Sequence, residues 1–299
     1  MSGNVLNRLL PPSTLAALSN LELVARTAVE GFLIGMHRSP RYGFSQEFKE
    51  YRAYVEGDDP RFVDWNVYAR TDRTYIRRYE GETNTRLMIL LDASASMGFS
   101  SHAVGKLQYA KFIAASLAYL AARQHDPVGL LVFDEKVRQY RPPNSRAGSL
   151  LGMIHAIDAV EPGGGTDIPG CFTSFREHLT RRGLVAVISD LYCDPITMTR
   201  AVQPLAYHGH DIMIIQVLDP QEMRPQWTDS VVLEDVETKQ EMNVSPDYLK
   251  QHYAGRLQTH LESLRTAAAS VGAQQIQVCT DQPLDEVLRR YLSFRQGRV

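Results

Sequence analysis

Between Arg86 and Gly98 the chain reads RLMILLDASASMG. Leu87 to Leu91 is apolar throughout, as a strand buried on both faces must be. It gives way to Asp92-Ala93-Ser94-Ala95-Ser96, a carboxylate and two hydroxyls at alternate positions. Such a loop can aim three hard oxygens at one point, and hard oxygens suit Mg²⁺ or Mn²⁺. Two more oxygen sources lie downstream. Thr166 follows the flexible run Gly163-Gly164-Gly165, and Asp190 ends a second apolar run, Leu184 to Ser189. Mg²⁺ takes six oxygens and commonly keeps water. Two carboxylates and three hydroxyls, some acting through water, therefore leave at least one position for an outside ligand. Hydroxyl ligands also leave more positive charge on the metal than a cage of acids would, and that charge attracts a carboxylate from another protein. The competing reading is local: Ser94 and Ser96 cap the following turn, and both acids hold loops.

For these side chains to meet, the chain must bring distant strand ends together. The spacing predicts strands at 87–91, 128–133, 184–189, 211–217 and 275–279, with helices at about 104–124, 149–159, 168–181 and 195–207. Short apolar strands separated by helices indicate a mainly parallel, doubly wound α/β sheet covered on both faces. An extra antiparallel strand is expected at 136–140, ended by Arg141-Pro142-Pro143. In open sheets of this kind, ligands bind beyond the carboxyl ends of the strands where the strand order reverses. If the strands ending at Asp92 and Asp190 are neighbours at that reversal, both carboxylates emerge at one crevice. The glycine loop can then lay Thr166 across it.

Three regions flank this frame. Residues 1–20 read as a loosely held arm in which Pro11-Pro12 breaks any early helix. Residues 21–85 read as a small helix-plus-β module. Its helix carries Leu21, Val24, Ala25, Ala28, Val29, Phe32, Leu33 and Met36 on one apolar face. Its second part, Arg41 to Asn84, interleaves aromatics (Tyr51, Tyr54, Phe62, Trp65, Tyr68, Tyr75, Tyr79) with arginines and acids around a turn at Gly57-Asp58-Asp59-Pro60. Residues 86–299 form the α/β domain, with a hairpin-and-helix excursion at about 221–272. There 230–236 and 241–244 pair as a hairpin, and Ser245-Pro246-Asp247 opens a helix that Gly272 ends.

Composition removes several classes of function. With 299 residues, 44% hydrophobic, 22% charged and a net charge of −2, the chain has no global attraction to nucleic acid or anionic membrane. Three scattered cysteines, Cys171, Cys193 and Cys279, make neither a disulfide framework nor a zinc pattern and fit a reducing, cytoplasmic setting. The start, MSGNVLNRLLPPS, has too short an apolar stretch for a secretory signal. The most apolar helical run, 112–122, is bracketed by Lys111 and Arg123 well short of a membrane span. Arginines among aromatics can bind single-stranded nucleic acid by stacking, but the acids in Arg41 to Asn84 repel phosphates and no RNP or KH signature accompanies them. No nucleic-acid partner is expected. Asp167 reads as the cap of the helix at Ile168, and His208-Gly209-His210 as a solvated helix end.

Asp-x-Ser-x-Ser, a loop threonine and a strand-end aspartate, in this order, resemble the metal-ion-dependent adhesion site of von Willebrand factor A domains. More of the chain, from about Leu21 to Leu292, resembles the bacterial and archaeal family called domain of unknown function 58. EGDDPRFVDWNVYARTDRTYIRRYEGETN carries that resemblance, with DASASM, LVFDEKV and VISDLYCDP. The resemblance implies a von Willebrand factor A-like domain behind a small family-specific module. It implies the metal positions Asp92, Ser94, Ser96, Thr166 and Asp190, and a soluble member without the upstream membrane segments of some relatives. It also implies association with MoxR-type AAA+ ATPases in assembling or maturing client proteins. The expected function is thus a non-catalytic, metal-dependent adaptor whose protein ligand presents an acidic side chain. The alternatives are an enzyme using Asp92 as a phosphoryl-accepting nucleophile in a Mg²⁺-dependent phosphotransferase or hydrolase, and nucleic-acid binding through the Arg41 to Asn84 module. Phosphotransferases of that kind place a second acid two residues on, where this chain has Ser94. No P-loop, Gly-x-Gly-x-x-Gly or Gly-x-Ser-x-Gly is present either.

Overall fold

Strands that are apolar on both faces need cover on both sides, and the computed structural model shows how this chain supplies it. The structure describes residues 11–18, 20–37, 48–55, 63–79, 86–146, 148–175, 181–227, 229–237, 239–248 and 252–296. It opens with α1 (Pro12–Ala16) and α2 (Leu21–His37), followed by β1 (Phe48–Ala53), α3 (Trp65–Thr71) and β2 (Tyr75–Tyr79). Strands and helices then alternate: β3 (Arg86–Asp92), a 3₁₀ turn (Ala95–Gly98), α4 (Lys106–Arg123), β4 (Val128–Phe133) and β5 (Val137–Asn144). Next come α5 (Ser149–Asp158), α6 (Ile168–Phe175), β6 (Gly183–Ser189), α7 (Pro195–Tyr207) and β7 (Asp211–Leu218). The short α8 (Pro220–Met223) leads to the hairpin β8 (Val231–Glu234) and β9 (Glu241–Val244). The chain closes with α9 (Pro246–Tyr248), α10 (Ala254–Ser270), β10 (Gln274–Cys279) and α11 (Asp285–Gln296).

Six strands form one sheet in the order β10-β7-β6-β3-β4-β5. All neighbours are parallel except β4 and β5. The chain runs outward from β3 through β4 to β5, then returns to the other side of β3 for β6, β7 and β10. The order therefore reverses between β3 and β6, where Leu91 lies opposite Ile188. On one face, Met88, Leu90, Val185, Val187, Ile212 and Ile214 pack against α6, α7 and α10. On the other lies α4, apolar nearly all round and buried accordingly, flanked by α5 and α11. Among the described residues no helix is long and apolar enough to cross a membrane.

The chain divides into two units: residues 33–84, and the described residues on either side, through Phe32 and from Arg86. This moves most of α2 out of the small module to which its sequence position assigns it. Val24, Ala25, Val29 and Phe32 are buried, and Leu21 and Val24 line a cleft with Leu107 and Phe112 of α4. Among the described residues of the small unit, aromatic positions fall on a helix as well as on strands. β1 and β2 pair antiparallel, but α3 lies between them in sequence. Its first turn is held by Asp64, whose carboxylate accepts from Val67 N–H at 3.2 Å. Trp65 and Tyr68, three residues apart, meet edge-on at 6.1 Å, a helical rather than a strand spacing. The turn expected at Gly57 to Pro60 lies outside the described residues.

Prolines account for other differences. Pro12 opens α1 instead of preventing a helix, because a proline in the first turn lacks only an N–H that has no intrahelical partner there. β5 runs through Pro142 and Pro143 to Asn144, since it is an edge strand and one side of its backbone has no ladder to complete. Ser245 does cap a turn, accepting from Tyr248 N–H at 3.2 Å, but that turn is the short α9, and α10 begins at Ala254. Gly272, at φ +73°, follows α10 as expected. The helix expected at 168–181 is described as far as Phe175.

Candidate metal centre

β3 delivers Asp92 to the carboxyl edge of the sheet at the strand-order reversal, completely buried. Both of its oxygens are held. Oδ1 accepts from the backbone N–H of Ser94 at 2.8 Å, and Oδ2 accepts from Ser189 Oγ, at the end of β6, at 2.6 Å. The Ser94 and Ser96 hydroxyl oxygens lie 3.0 Å apart. Two backbone bonds stitch this loop to the glycine loop: Ala95 N–H to Gly164 O and Gly163 N–H to Ala93 O, each 2.9 Å. Gly164 has φ +77°, and an added Cβ would stand 2.9 Å from Asp134 Oδ2, so the residue is required here on both counts. Two residues on, Thr166 donates from Oγ1 to Glu237 Oε1 at 2.8 Å. Asp190, directly after β6, is buried. Its Oδ2 accepts from Lys106 Nζ at 2.8 Å. The structure thus brings Asp92, Ser94, Ser96, the Thr166 loop and Asp190 to one end of neighbouring strands. Asp167 caps α6, its Oδ1 accepting from Gly170 N–H at 3.0 Å.

The electrostatics of this crevice are dominated by burial. Loss of water, and then the charge of Asp190, push the Asp92 carboxyl up to about 7, although hydrogen bonds from Ser189 and Ser94 counter the shift. Asp190 is answered by Lys106, wholly buried in the first turn of α4. A cation is disfavoured at a helix N-terminus. Here Lys106 Nζ also reaches Glu222 Oε1 of α8 at 2.6 Å. Burial pulls the ammonium pKa down, but Asp190 and Glu222 outweigh it, and the net shift is upward. Burial likewise raises the Glu222 carboxyl against the opposing pull of Lys106. The aromatic rings of Tyr192 and Phe99 lie 4.8 and 5.7 Å from Nζ.

The chemistry of the donors fits a hard divalent cation. Among the described residues no group of three or more His, Cys, Asp or Glu side chains converges as a metal site. A cation here would therefore rely on hydroxyls together with the two aspartates, a set suited to Mg²⁺ or Mn²⁺ rather than zinc. One ammonium serves Asp190 and Glu222, while the buried Asp92 is held by neutral hydrogen-bond donors alone.

Lys106, Ser189, Glu222 and Glu237 were not legible as members of this site. Lys106 carries one signal, a lysine in the first turn of an otherwise apolar helix. Glu222 completes a capping box with Asp219, whose N–H donates to Glu222 Oε2 at 2.8 Å. That motif is visible in sequence, but its reach to Lys106 is not.

The strand order, with its single antiparallel edge and a hydroxyl-rich crevice at the reversal, defines a von Willebrand factor A-like α/β protein. The chain belongs to the family described as protein of unknown function DUF58, which matches residues 50–263. It is 28% identical over 296 residues to the uncharacterized protein Rv1480 of Mycobacterium tuberculosis (strain ATCC 25618 / H37Rv), covering 96% of this chain and 92% of that one. Among solved structures, it is similar to the conserved hypothetical protein BatB from Bacteroides thetaiotaomicron, with a TM-score of 0.49 and 15% identity over 72% of this chain and 100% of that one. The SpRpn10 VWA domain gives a TM-score of 0.39 and 12% identity over 69% and 94%. At these identities the likeness concerns fold and not function.

Proposed function

We propose that this protein is a non-catalytic adaptor. It captures an acidic side chain of a protein ligand through Mg²⁺ or Mn²⁺ held by Asp92, Ser94, Ser96, Thr166 and Asp190. What supports this reading is that Asp92, Ser94, Ser96, Asp190 and the loop carrying Thr166 lie at the strand-order reversal, with Asp92 wholly buried. When bound, the cation supplies an open coordination position to a carboxylate from outside. The chain's own residues do the rest. Ser189 and the Ser94 backbone fix both oxygens of Asp92, Lys106 orients Asp190, and the Gly164 hydrogen bond holds the glycine loop against Ala95.

The surroundings suit a protein ligand. Phe99, Tyr192 and Ile196 leave 38%, 46% and 63% of their surface exposed. Phe99 ends the 3₁₀ turn, Tyr192 follows Asp190 by two residues, and Ile196 lies in the first turn of α7. Aromatic and aliphatic groups around a polar centre give a partner apolar area to cover. The family resemblance extends the proposal to joint action with a MoxR-type AAA+ ATPase on client proteins. Phosphoryl transfer is less well supported, because Ser94 stands where a second acid would act.

The test has two stages. Calorimetric titration with Mn²⁺ should give a single site in the wild type and none in Asp92→Ala. A purified MoxR-type AAA+ ATPase should then bind the immobilised wild type in Mn²⁺ and be released by EDTA. Binding that is equal in EDTA, or equal in Asp92→Ala, overturns the metal-dependent adaptor.

A further inference from the structure

The hairpin β8–β9 stands outside the main sheet, yet its turn reaches the candidate metal centre. Asp235 organises that turn. Its Oδ1 accepts from Glu237 N–H at 2.8 Å, and its carbonyl accepts from Lys239 N–H at 2.8 Å, with Lys239 at φ +60°. The turn aims the half-buried Glu237 at the glycine loop. Its Oε1 accepts from Thr166 Oγ1 at 2.8 Å, across 71 residues of sequence. Its Oε2 lies over Gly165, 3.9 Å from where a Cβ would stand. The strands that carry it are lightly anchored: Val232, Glu234, Glu241, Met242 and Asn243 are exposed, and Val244 is buried.

Glu237 is thus an acid hydrogen-bonded to one of the side chains that would hold the cation. Among the described residues, Thr166 is the one proposed ligand that makes a side-chain hydrogen bond to an acid from outside the three site loops. An acid at that place has the chemistry expected of the protein ligand.

We propose that Glu237 is the chain's own acidic occupant of this site, filling the coordination position that a partner's carboxylate takes, with the hairpin as a displaceable cap. The proposal rests on the metal-site reading above. Thr166 Oγ1 holds the Glu237 carboxylate close, and a bound cation would draw that carboxylate as a ligand. A partner's acid then competes with one tethered at high effective concentration, so capture depends on release of the hairpin.

Hydrogen-exchange mass spectrometry on the full chain, with and without Mn²⁺, tests this, with Mn²⁺ affinity measured by calorimetry on the same samples. In the wild type, Mn²⁺ should slow exchange of the hairpin amides about five- to tenfold, the lower end of ordinary coupling between linked sites. Glu237→Gln should lose that protection and bind Mn²⁺ more weakly by the same factor, because such coupling is reciprocal. Glu237→Ala should behave as Glu237→Gln does. If Mn²⁺ binds the wild type but hairpin exchange does not respond, or responds equally in both variants, the role of Glu237 is overturned and the metal site stands. If Mn²⁺ does not bind the wild type, both readings fall together.

Discussion

Replacing Lys106 with methionine keeps most of the side-chain volume and removes one buried positive charge. Asp190 and Glu222 then lose their shared partner. The side chains concerned are nearly inaccessible, with 1% exposed for Lys106, 3% for Asp190 and 15% for Glu222. Solvent screening is therefore weak, and the pair is not of the surface kind. Removing one member of a buried ion pair costs about 3–5 kcal/mol, mostly because the remaining charge stays buried without compensation. For a unit of this size that corresponds to a fall in Tm of roughly 6–20 °C. Urea and thermal unfolding of Lys106→Met against wild type, both in EDTA, measure it directly. A loss below about 1 kcal/mol, the scale of an exposed pair, would refute the claim that this ammonium is the structural counter-charge of the crevice.

Other substitutions separate the site from the scaffold. Asp92→Asn removes a charge that burial and Asp190 both disfavour but turns an NH2 toward one of the two donors that Asp92 now accepts from; it should weaken Mn²⁺ binding by more than about tenfold, measured by titration. Gly164→Ala meets both a positive φ and the Asp134 carboxylate; it should cost about 1–3 kcal/mol and weaken Mn²⁺ binding, since it displaces the loop that carries Thr166. Phe32→Ala should destabilise the larger unit by about 3–5 kcal/mol, whereas Trp65→Ala, at a side chain 62% exposed, should change stability by less than about 0.5 kcal/mol. Paired denaturation curves decide between these last two expectations.

How much of this was readable from residues alone depended on the range of the interactions concerned. β4 and α7 match their expected bounds because apolar runs end at local breakers: Asp126-Pro127 before β4, and Asp194-Pro195 before α7, where Asp194 caps Ile196 N–H at 2.7 Å. The parallel sheet and the strand-end aspartates follow from the same local patterns. The unit to which α2 belongs did not, because an apolar face announces burial without naming what covers it. β5 was cut short at its prolines because their cost depends on whether the strand lies at an edge, a property of the whole sheet. The Lys106 contacts span 84 and 116 residues, and no periodicity or spacing connects such distant positions. Glu237 is further from legibility still: a turn residue in a polar hairpin whose partner is set by how the hairpin folds back.

The most direct measurement is the anomalous signal of Mn²⁺ in crystals of the full chain. A peak within bonding distance of the Ser94 and Ser96 hydroxyls, beside Asp92 and lost in Asp92→Ala, is the expected result. At saturating Mn²⁺, an empty crevice with Lys106 still bridging Asp190 and Glu222, or a peak elsewhere on the molecule, would contradict it.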